Sequence, residues 1–359
     1  MTKTIGYAAK HSFSSLKPLE FERRETGPND VEIEILYCGV CHSDLHQVKN
    51  DWGNTVYPCM PGHEIVGRVS QVGAQVSKYA VGDTVGVGCM VDSCRECEAC
   101  KENLEQYCEG PISWTATYNG PMKPDGSGAN TYGGYSTRIV VDENYVLRIP
   151  TNLDLKATPP LLCAGITTYS PLRHWKVSPG QKVGVAGLGG LGHMAVKLAT
   201  AMGAQVTVFS TDPEKEADAR KFGAVEFVLS TDKKAMTTRE STFDFILSTI
   251  PVAHDINPYI SLLKRDSTLA LVGALGPFAK PTDNQQVAFY RRNVAGSLIG
   301  GIAETQEVLD FCGQHNIVSE IELINIEDIN GAFKKMDKGE VRYRSVIDIA
   351  TLRAQEAEA

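Results

Sequence analysis

Apolar and polar residues alternate along 31–37 (VEIEILY), 65–69 (IVGRV) and 84–87 (TVGV). A period of two predicts strands with one buried and one wet face. Turn signals at Gly27-Pro28-Asn29-Asp30 and Val81-Gly82-Asp83 separate these runs, and 135–150 returns to a strand pattern. Residues 1–152 therefore read as a compact, partly closed β-barrel. Beyond 153 the pattern changes. Short apolar runs at 182–186, 205–209, 243–249, 268–273 and 294–300 alternate with helix-length spacers, the first of them carrying a helix at 194–199. Such repetition predicts a doubly wound parallel sheet. After Gly300 the chain reads as a helix, mixed elements, a strand at 344–348 and a charged tail.

At 359 residues the chain is long enough for two cores. With 42% hydrophobic and 22% charged residues it is an ordinary globular sequence, and its net charge of -8 argues against nucleic-acid backbones as partners. No secretory leader pattern and no apolar run of about 18 residues is visible. A cytoplasmic protein with no membrane partner is expected, with a small molecule as substrate.

Ten cysteines in so long a chain change the picture only through their bunching. Cys94, Cys97, Cys100 and Cys108 follow C-x-x-C-x-x-C-x7-C, which reads as metal rather than disulfide. Four thiolates close a tetrahedral zinc and leave no position for water, so this site is expected to be structural. An iron–sulfur cluster also uses C-x-x-C-x-x-C, but no Pro follows the fourth Cys and no second cluster motif exists. The other grouping is Cys41 with His63, which precedes the strand at 65–69. A catalytic zinc keeps three protein ligands and one open position, and Cys163 is the best candidate for the third. Cys38, Cys59, Cys89 and Cys312 are expected to be plain buried thiols.

The run 182–186 leads directly into Gly187-Leu188-Gly189-Gly190-Leu191-Gly192, and a helix follows. Strand, glycine turn and helix together form a dinucleotide fingerprint, with the pyrophosphate at the helix N-terminus. Where the next strand ends, an NAD site places an acidic residue, whereas an NADP site has small hydroxyls and a cation for the 2′-phosphate. Here stand Ser210 and Thr211 with Lys215 nearby, so NADP(H) is favoured over NAD(H), against which the neighbouring Asp212 counts.

Taken together, Cys41-His42-Ser43-Asp44, Gly62-His63-Glu64, the four-cysteine loop, Cys163-Ala164-Gly165-Ile166-Thr167 and the glycine turn through His193 resemble the zinc-dependent medium-chain alcohol dehydrogenases, with wording nearest the cinnamyl alcohol dehydrogenase branch. The resemblance implies a GroES-like catalytic domain over 1–152, a Rossmann domain over 153–297 and a return segment, 298–359, completing the first. It implies two zinc ions per subunit, the catalytic one bound by Cys41, His63 and Cys163 with Glu64 coordinating transiently. Asp44 would support the metal, while Ser43 and His46 would relay a proton to solvent. Thr167, Thr249, Val272, Gly273, Ala274, Ser297, Leu298, Ile299 and Arg344 would lie near the cofactor, and a homodimer would form through the Rossmann sheet edges. His42 is either a pyrophosphate contact or a surface residue. His193, following the glycine turn, reads as a local cap, and Trp52 either lines the substrate pocket or packs in the barrel. With Trp114 and Leu298, Trp52 would shape a pocket for an aromatic or medium aliphatic aldehyde. The expected activity is reversible hydride transfer between a primary alcohol and its aldehyde. The alternatives are a polyol or sugar dehydrogenase on the same scaffold and, in a different class, a non-catalytic zinc-loop binding protein.

Overall fold

The computed structural model describes residues 2–111, 113–121, 130–273 and 276–358. It comprises two compact units, Met1–Cys163 with Gly300–Ala359, and Ala164–Ile299. The chain thus leaves the first unit at Cys163, eleven residues beyond the change of pattern at 152, and re-enters it at Gly300.

The first unit is organised on the strand Asp30–Val40. Its inward residues Val31, Ile33 and Ile35 are completely buried, as the alternation requires. One edge pairs antiparallel with Ile65–Val72. The other edge is shared: Arg138–Asp142 pairs with residues 30–34, and Arg344–Asp348, from the far end of the chain, pairs with residues 37–40. Register shifts between Glu32 and Ile33 and between Ile35 and Tyr37 mark bulges, which bend a strand and raise its twist. Thr84–Val87 and Leu147–Arg148 extend the sheet on one side and Ile321–Asn325 on the other. A hairpin of Thr2–Ala8 and Lys17–Arg23 forms its own two-stranded sheet and is bonded to the segment before Arg138, Tyr7 N donating to the Tyr135 carbonyl at 2.8 Å and Thr137 N to the Ile5 carbonyl at 3.2 Å.

At the end of that hairpin the buried guanidinium of Arg23 acts as a clamp. Its Nε donates to the Arg138 carbonyl at 2.9 Å, Nη1 to the Tyr132 carbonyl at 2.6 Å, and Nη2 to the Gly133 carbonyl at 3.0 Å and Ser136 Oγ at 2.9 Å. The segment so gripped carries Tyr135, which reaches the site described below.

The second unit contains a six-stranded, all-parallel sheet in the order Glu226–Leu229, Gln205–Ser210, Lys182–Ala186, Phe243–Ser248, Leu263–Leu271, Asn293–Gly296. This 3-2-1-4-5-6 order is the doubly wound dinucleotide-binding arrangement. Val183, Val185, Val206, Val208, Ile246 and Leu247 are fully buried, so these strands read as apolar runs rather than alternations. Two expected boundaries shift. The helix predicted at 194–199 already starts in the glycine turn, as Gly190–Ala201, and the last strand stops at Gly296, short of residue 300. Beyond it Ser297 N still bonds the Leu271 carbonyl, but the backbone turns away by Ile299, whose φ is 38°. Among the described residues no helix is long and apolar enough to cross a membrane.

Arg23→Met would remove all four of these hydrogen bonds while keeping most of the aliphatic volume. A loss of about 3 kcal/mol or more is expected in urea unfolding of the first unit, since buried unsatisfied groups cost roughly 1–3 kcal/mol each.

Candidate functional site

The site grows from the start of one short helix. Cys41 is the N-cap of His42–Lys49, in extended conformation, and three residues on Asp44 folds back so that its Oδ2 accepts from the Cys41 amide at 2.8 Å. Asp44 is wholly buried. Its Oδ1 accepts from Gly62 N at 3.1 Å and faces His63 Nδ1 at 3.0 Å, and Tyr135 OH donates to Oδ2 at 3.1 Å. A histidine that gives Nδ1–H to a carboxylate presents Nε2 as its free base, the usual state of a metal-binding imidazole.

Cys41 Sγ and Cys163 Sγ lie 3.9 Å apart. One ligand atom from each of Cys41, His63, Glu64 and Cys163 falls within 4.8 Å of the others, all four residues being buried. Two thiolates on one tetrahedral zinc, with Zn–S near 2.3 Å, sit roughly 3.8 Å apart, so the donor set fits that ion. The hydrogen bond from Cys163 pulls the Cys41 thiol well below its ordinary range against the opposing effect of burial, and the Arg344 charge adds to this.

Glu64 brings its carboxylate to 3.1 Å from Arg344 Nη2, both side chains being buried. The approach lacks hydrogen-bond geometry, and both carboxylate oxygens are without a hydrogen-bond partner. Burial raises the Glu64 carboxyl to about 7 although Arg344 pulls it down. For Arg344 burial opposes the charge, but Glu64, Cys41 and Cys163 outweigh it and hold the guanidinium above its usual range. Gly39 makes room for this pair: a Cβ there would lie 1.9 Å from Glu64 Oε2.

Around this centre, His46 Nδ1 meets Asp51 Oδ2 at 2.8 Å, and its ring lies 6.2 Å from His42 and 5.8 Å from Trp52. Tyr118 packs its ring 5.7 Å from His63. Ser43 and His42 are half-buried on the same helix. Cys89 departs from the expectation of a plain buried thiol. It is partly exposed, because the strand before it ends at Val87, and its Sγ lies 3.7 Å from the Leu162 carbonyl, next to Cys163. Cys38, Cys59 and Cys312 are buried as expected. The sequence reading missed Asp51, Tyr118 and Tyr135. Only Asp51 had a local signal, five residues after a candidate relay histidine.

In the cysteine loop Cys94, Cys97, Cys100 and Cys108 converge in the same way, with ligand atoms within 4.8 Å and Cys94 and Cys100 sulfurs 3.9 Å apart. Backbone amides of Cys94, Cys97, Glu109 and Gly110 point at these sulfurs at 3.3–3.4 Å. Such donors favour thiolates, and those from Cys100 and Glu109 lower Cys97 to about 6. The donor set and its amides fit a four-sulfur zinc. The loop has the one-turn helix Glu98–Lys101 and a 3-10 turn, Glu105–Tyr107, of its own.

In the second unit, Gly189 caps the helix Gly190–Ala201, and Gly187 has a φ of 91° that disfavours side chains. A Cβ on Gly192 would stand 2.1 Å from the Gly187 carbonyl, so the turn closes only with glycine there. Thr249 Oγ1 donates to the carbonyls of Ala186 and Gly187 at 3.0 and 3.1 Å, fixing the turn from the neighbouring strand. His193 is buried with Nδ1 3.2 Å from the Gly189 carbonyl, a local cap. Ser210 ends its strand, and its Oγ accepts from Asp212 N at 3.1 Å. Asp212 Oδ1 in turn accepts from Glu214 N at 2.9 Å, so this carboxylate is engaged in capping the turn Pro213–Lys215. Thr167 is buried in the helix Ala164–His174, Val272, Gly273, Ser297 and Leu298 are partly exposed after their strands, and Ile299 is buried. Arg344 belongs to the first unit, against Glu64. Ala274 lies outside the described residues.

Comparison with known proteins agrees with this architecture. The alcohol dehydrogenase GroES-like domain family matches residues 27–151, and the zinc-binding dehydrogenase family matches 190–314. The aldehyde reductase YahK of Escherichia coli is 55% identical over 352 residues, covering 98% of this chain and 99% of that protein. A probable mannitol dehydrogenase of Medicago sativa is 50% identical, covering 97% and 95%. The crystal structure of a cinnamyl alcohol dehydrogenase from Helicobacter pylori complexed with NADP(H) superposes with a TM-score of 0.87 at 44% identity, covering 97% of this chain and 99% of that one. Motifs, fold and relatives thus coincide, and the chain belongs to the zinc-dependent medium-chain alcohol dehydrogenase family, in its cinnamyl alcohol dehydrogenase branch.

Proposed function

We propose that this protein is an NADP(H)-preferring alcohol dehydrogenase that interconverts primary alcohols, aromatic or medium aliphatic, with their aldehydes. The observation that carries the reading is the buried convergence of Cys41, His63 and Cys163, with Asp44 fixing the imidazole. These three residues would hold the catalytic zinc and Glu64 would approach it during ligand exchange, while Cys94, Cys97, Cys100 and Cys108 would hold a structural zinc. Bound there, zinc supplies a Lewis acid that polarises the substrate oxygen.

The rest is done by the chain itself. Asp44 orients His63 and, through the Cys41 amide, sets the position of the helix start. Ser43 passes the substrate proton towards His46, whose ring Asp51 orients at Nδ1. Arg344 keeps Glu64 from standing as an uncompensated buried charge. The turn 187–192 and the helix after it receive the pyrophosphate. Ser210, Thr211 and Lys215 receive the 2′-phosphate, a role made easier because Asp212 is turned to a backbone amide. Trp52 and Trp114 line the substrate side. The nearness of a relative named as a mannitol dehydrogenase favours a second reading, a polyol substrate on the same chemistry. The family resemblance supports a cytoplasmic homodimer, with Asn293–Gly296 as the outer strand available for pairing.

Cys163→Ala is expected to abolish turnover and remove one zinc per subunit with little change in circular dichroism; near-wild-type turnover would take Cys163 out of the ligand set. Replacing Cys97 by Ala should cost the other zinc and lower the melting temperature by roughly 10 °C or more, since structural zinc contributes folding free energy outright, and an unchanged melting curve would refute that assignment. A spectrophotometric panel of aromatic, aliphatic and polyhydroxylated substrates with both nucleotides tests the activity itself. NADPH is expected to exceed NADH in kcat/KM by at least about tenfold, the worth of one good phosphate contact. A preference for NADH would overturn the reading of Ser210, Thr211 and Lys215, and a preference for polyols would favour the second reading.

A further inference from the structure

Residues 54–58 form no regular strand, yet their backbone is hydrogen-bonded almost as if a neighbouring strand lay beside it. The neighbour is a pair of side-chain amides. Asn119 Oδ1 accepts from Val56 N at 2.7 Å while its Nδ2 donates to the Asn54 carbonyl at 3.1 Å. Asn130 Nδ2 donates to the carbonyls of Pro58 at 2.8 Å and Val56 at 3.3 Å. From the opposite direction Gln47 Nε2 donates to Asn54 Oδ1 at 3.0 Å and Thr55 Oγ1 at 2.6 Å.

Asn119 is the centre of this arrangement. It is 3% exposed and its φ is 66°, a backbone state that Asn tolerates better than most side chains. Its own amide donates to the Thr131 carbonyl at 3.0 Å. One residue thus ties together three segments, those around 55, 118 and 131. One of the three faces a candidate metal ligand, and the stretch before another faces the candidate relay histidine. Tyr118, next to Asn119, lies against His63, and Trp52, just ahead of the clamped stretch, lies against His46.

We propose that Asn119 is a specificity-determining positioning residue: by clamping residues 54–56 to the segment carrying Trp114 and Tyr118, it fixes the gap between the two aromatic walls and so the bulk of the aldehyde that is accepted. The inference rests on the aldehyde reductase reading above. Asn119 touches neither the zinc donors nor the nucleotide fingerprint, so its effect falls on substrate fit. An amide suits the task because it supplies donor and acceptor at strand spacing, and a carboxylate of the same shape supplies only the acceptor.

Two variants test this. Asn119→Asp keeps shape and φ preference but loses the donor, and Asn119→Gly accepts the φ and loses both bonds. Each is assayed with benzaldehyde-type and short aliphatic aldehydes, and by acrylamide quenching of tryptophan fluorescence. In both variants KM for aromatic aldehydes is expected to rise roughly tenfold relative to that for short aliphatic ones, the size of a pocket misfit, with kcat and the Kd for NADPH retained. Quenching should increase as Trp52 and Trp114 lose their walls. The melting temperature should fall by less than about 8 °C, as for one or two hydrogen bonds. An unchanged ratio of aromatic to aliphatic KM, or a uniform loss that follows the melting temperature, would overturn the proposal, as would unchanged quenching. A wild-type enzyme inactive on every aldehyde would instead remove the functional reading beneath it, and the quenching comparison would still decide whether the clamp exists.

Discussion

The Asp44 carboxylate holds the first unit's chemistry together. It is fully buried, which is tolerable for a carboxylate only when hydrogen bonds replace its water. Four groups do so: the amides of Cys41 and Gly62, the His63 imidazole and the Tyr135 hydroxyl. These come from three stretches of chain that have no local reason to meet. Because one anion collects all of them, the helix start that carries Cys41 and the strand approach that carries His63 are fixed against each other. Arg23 acts on the same constraint from a distance, by gripping the segment on which Tyr135 lies.

A second buried acid, Glu64, is handled differently. It gains an opposite charge from Arg344 but no well-aligned donor, and burial raises its carboxyl to about 7 although Arg344 pulls it down. Asp44 is locked by four donors, whereas Glu64 is only loosely held.

Much of this was legible in the linear order of residues because the governing signals are local. Alternation at 31–37 is a sheet period, the spacing of Cys94, Cys97, Cys100 and Cys108 is a ligand spacing, and 182–192 is strand, turn and helix in succession. What could not be read was whatever depends on long-range meeting. The return of the last segment to the first unit came only through the family resemblance, and the pairing of 344–348 with 37–40 had no signal in the sequence. Tyr135 and Tyr118 carry no motif; they matter because the barrel folds them onto Asp44 and His63. Asp212, adjacent in sequence to the expected phosphate site, turns its side chain to the amide of Glu214, an orientation its position alone does not reveal. Cys89 was misjudged because apolar neighbours hid the fact that its strand ends two residues earlier.

The shared edge of the strand Asp30–Val40 bears on how the molecule is made. Half of that edge is filled by a strand close by in sequence, but the other half waits for residues 344–348, which leave the ribosome only after the whole nucleotide-binding unit. Until then Glu64 has no Arg344 beside it and the sheet has an open flank next to the zinc donors. The inserted unit is therefore synthesised whole before the strand that closes the first unit's sheet, and domains generally fold as units during synthesis.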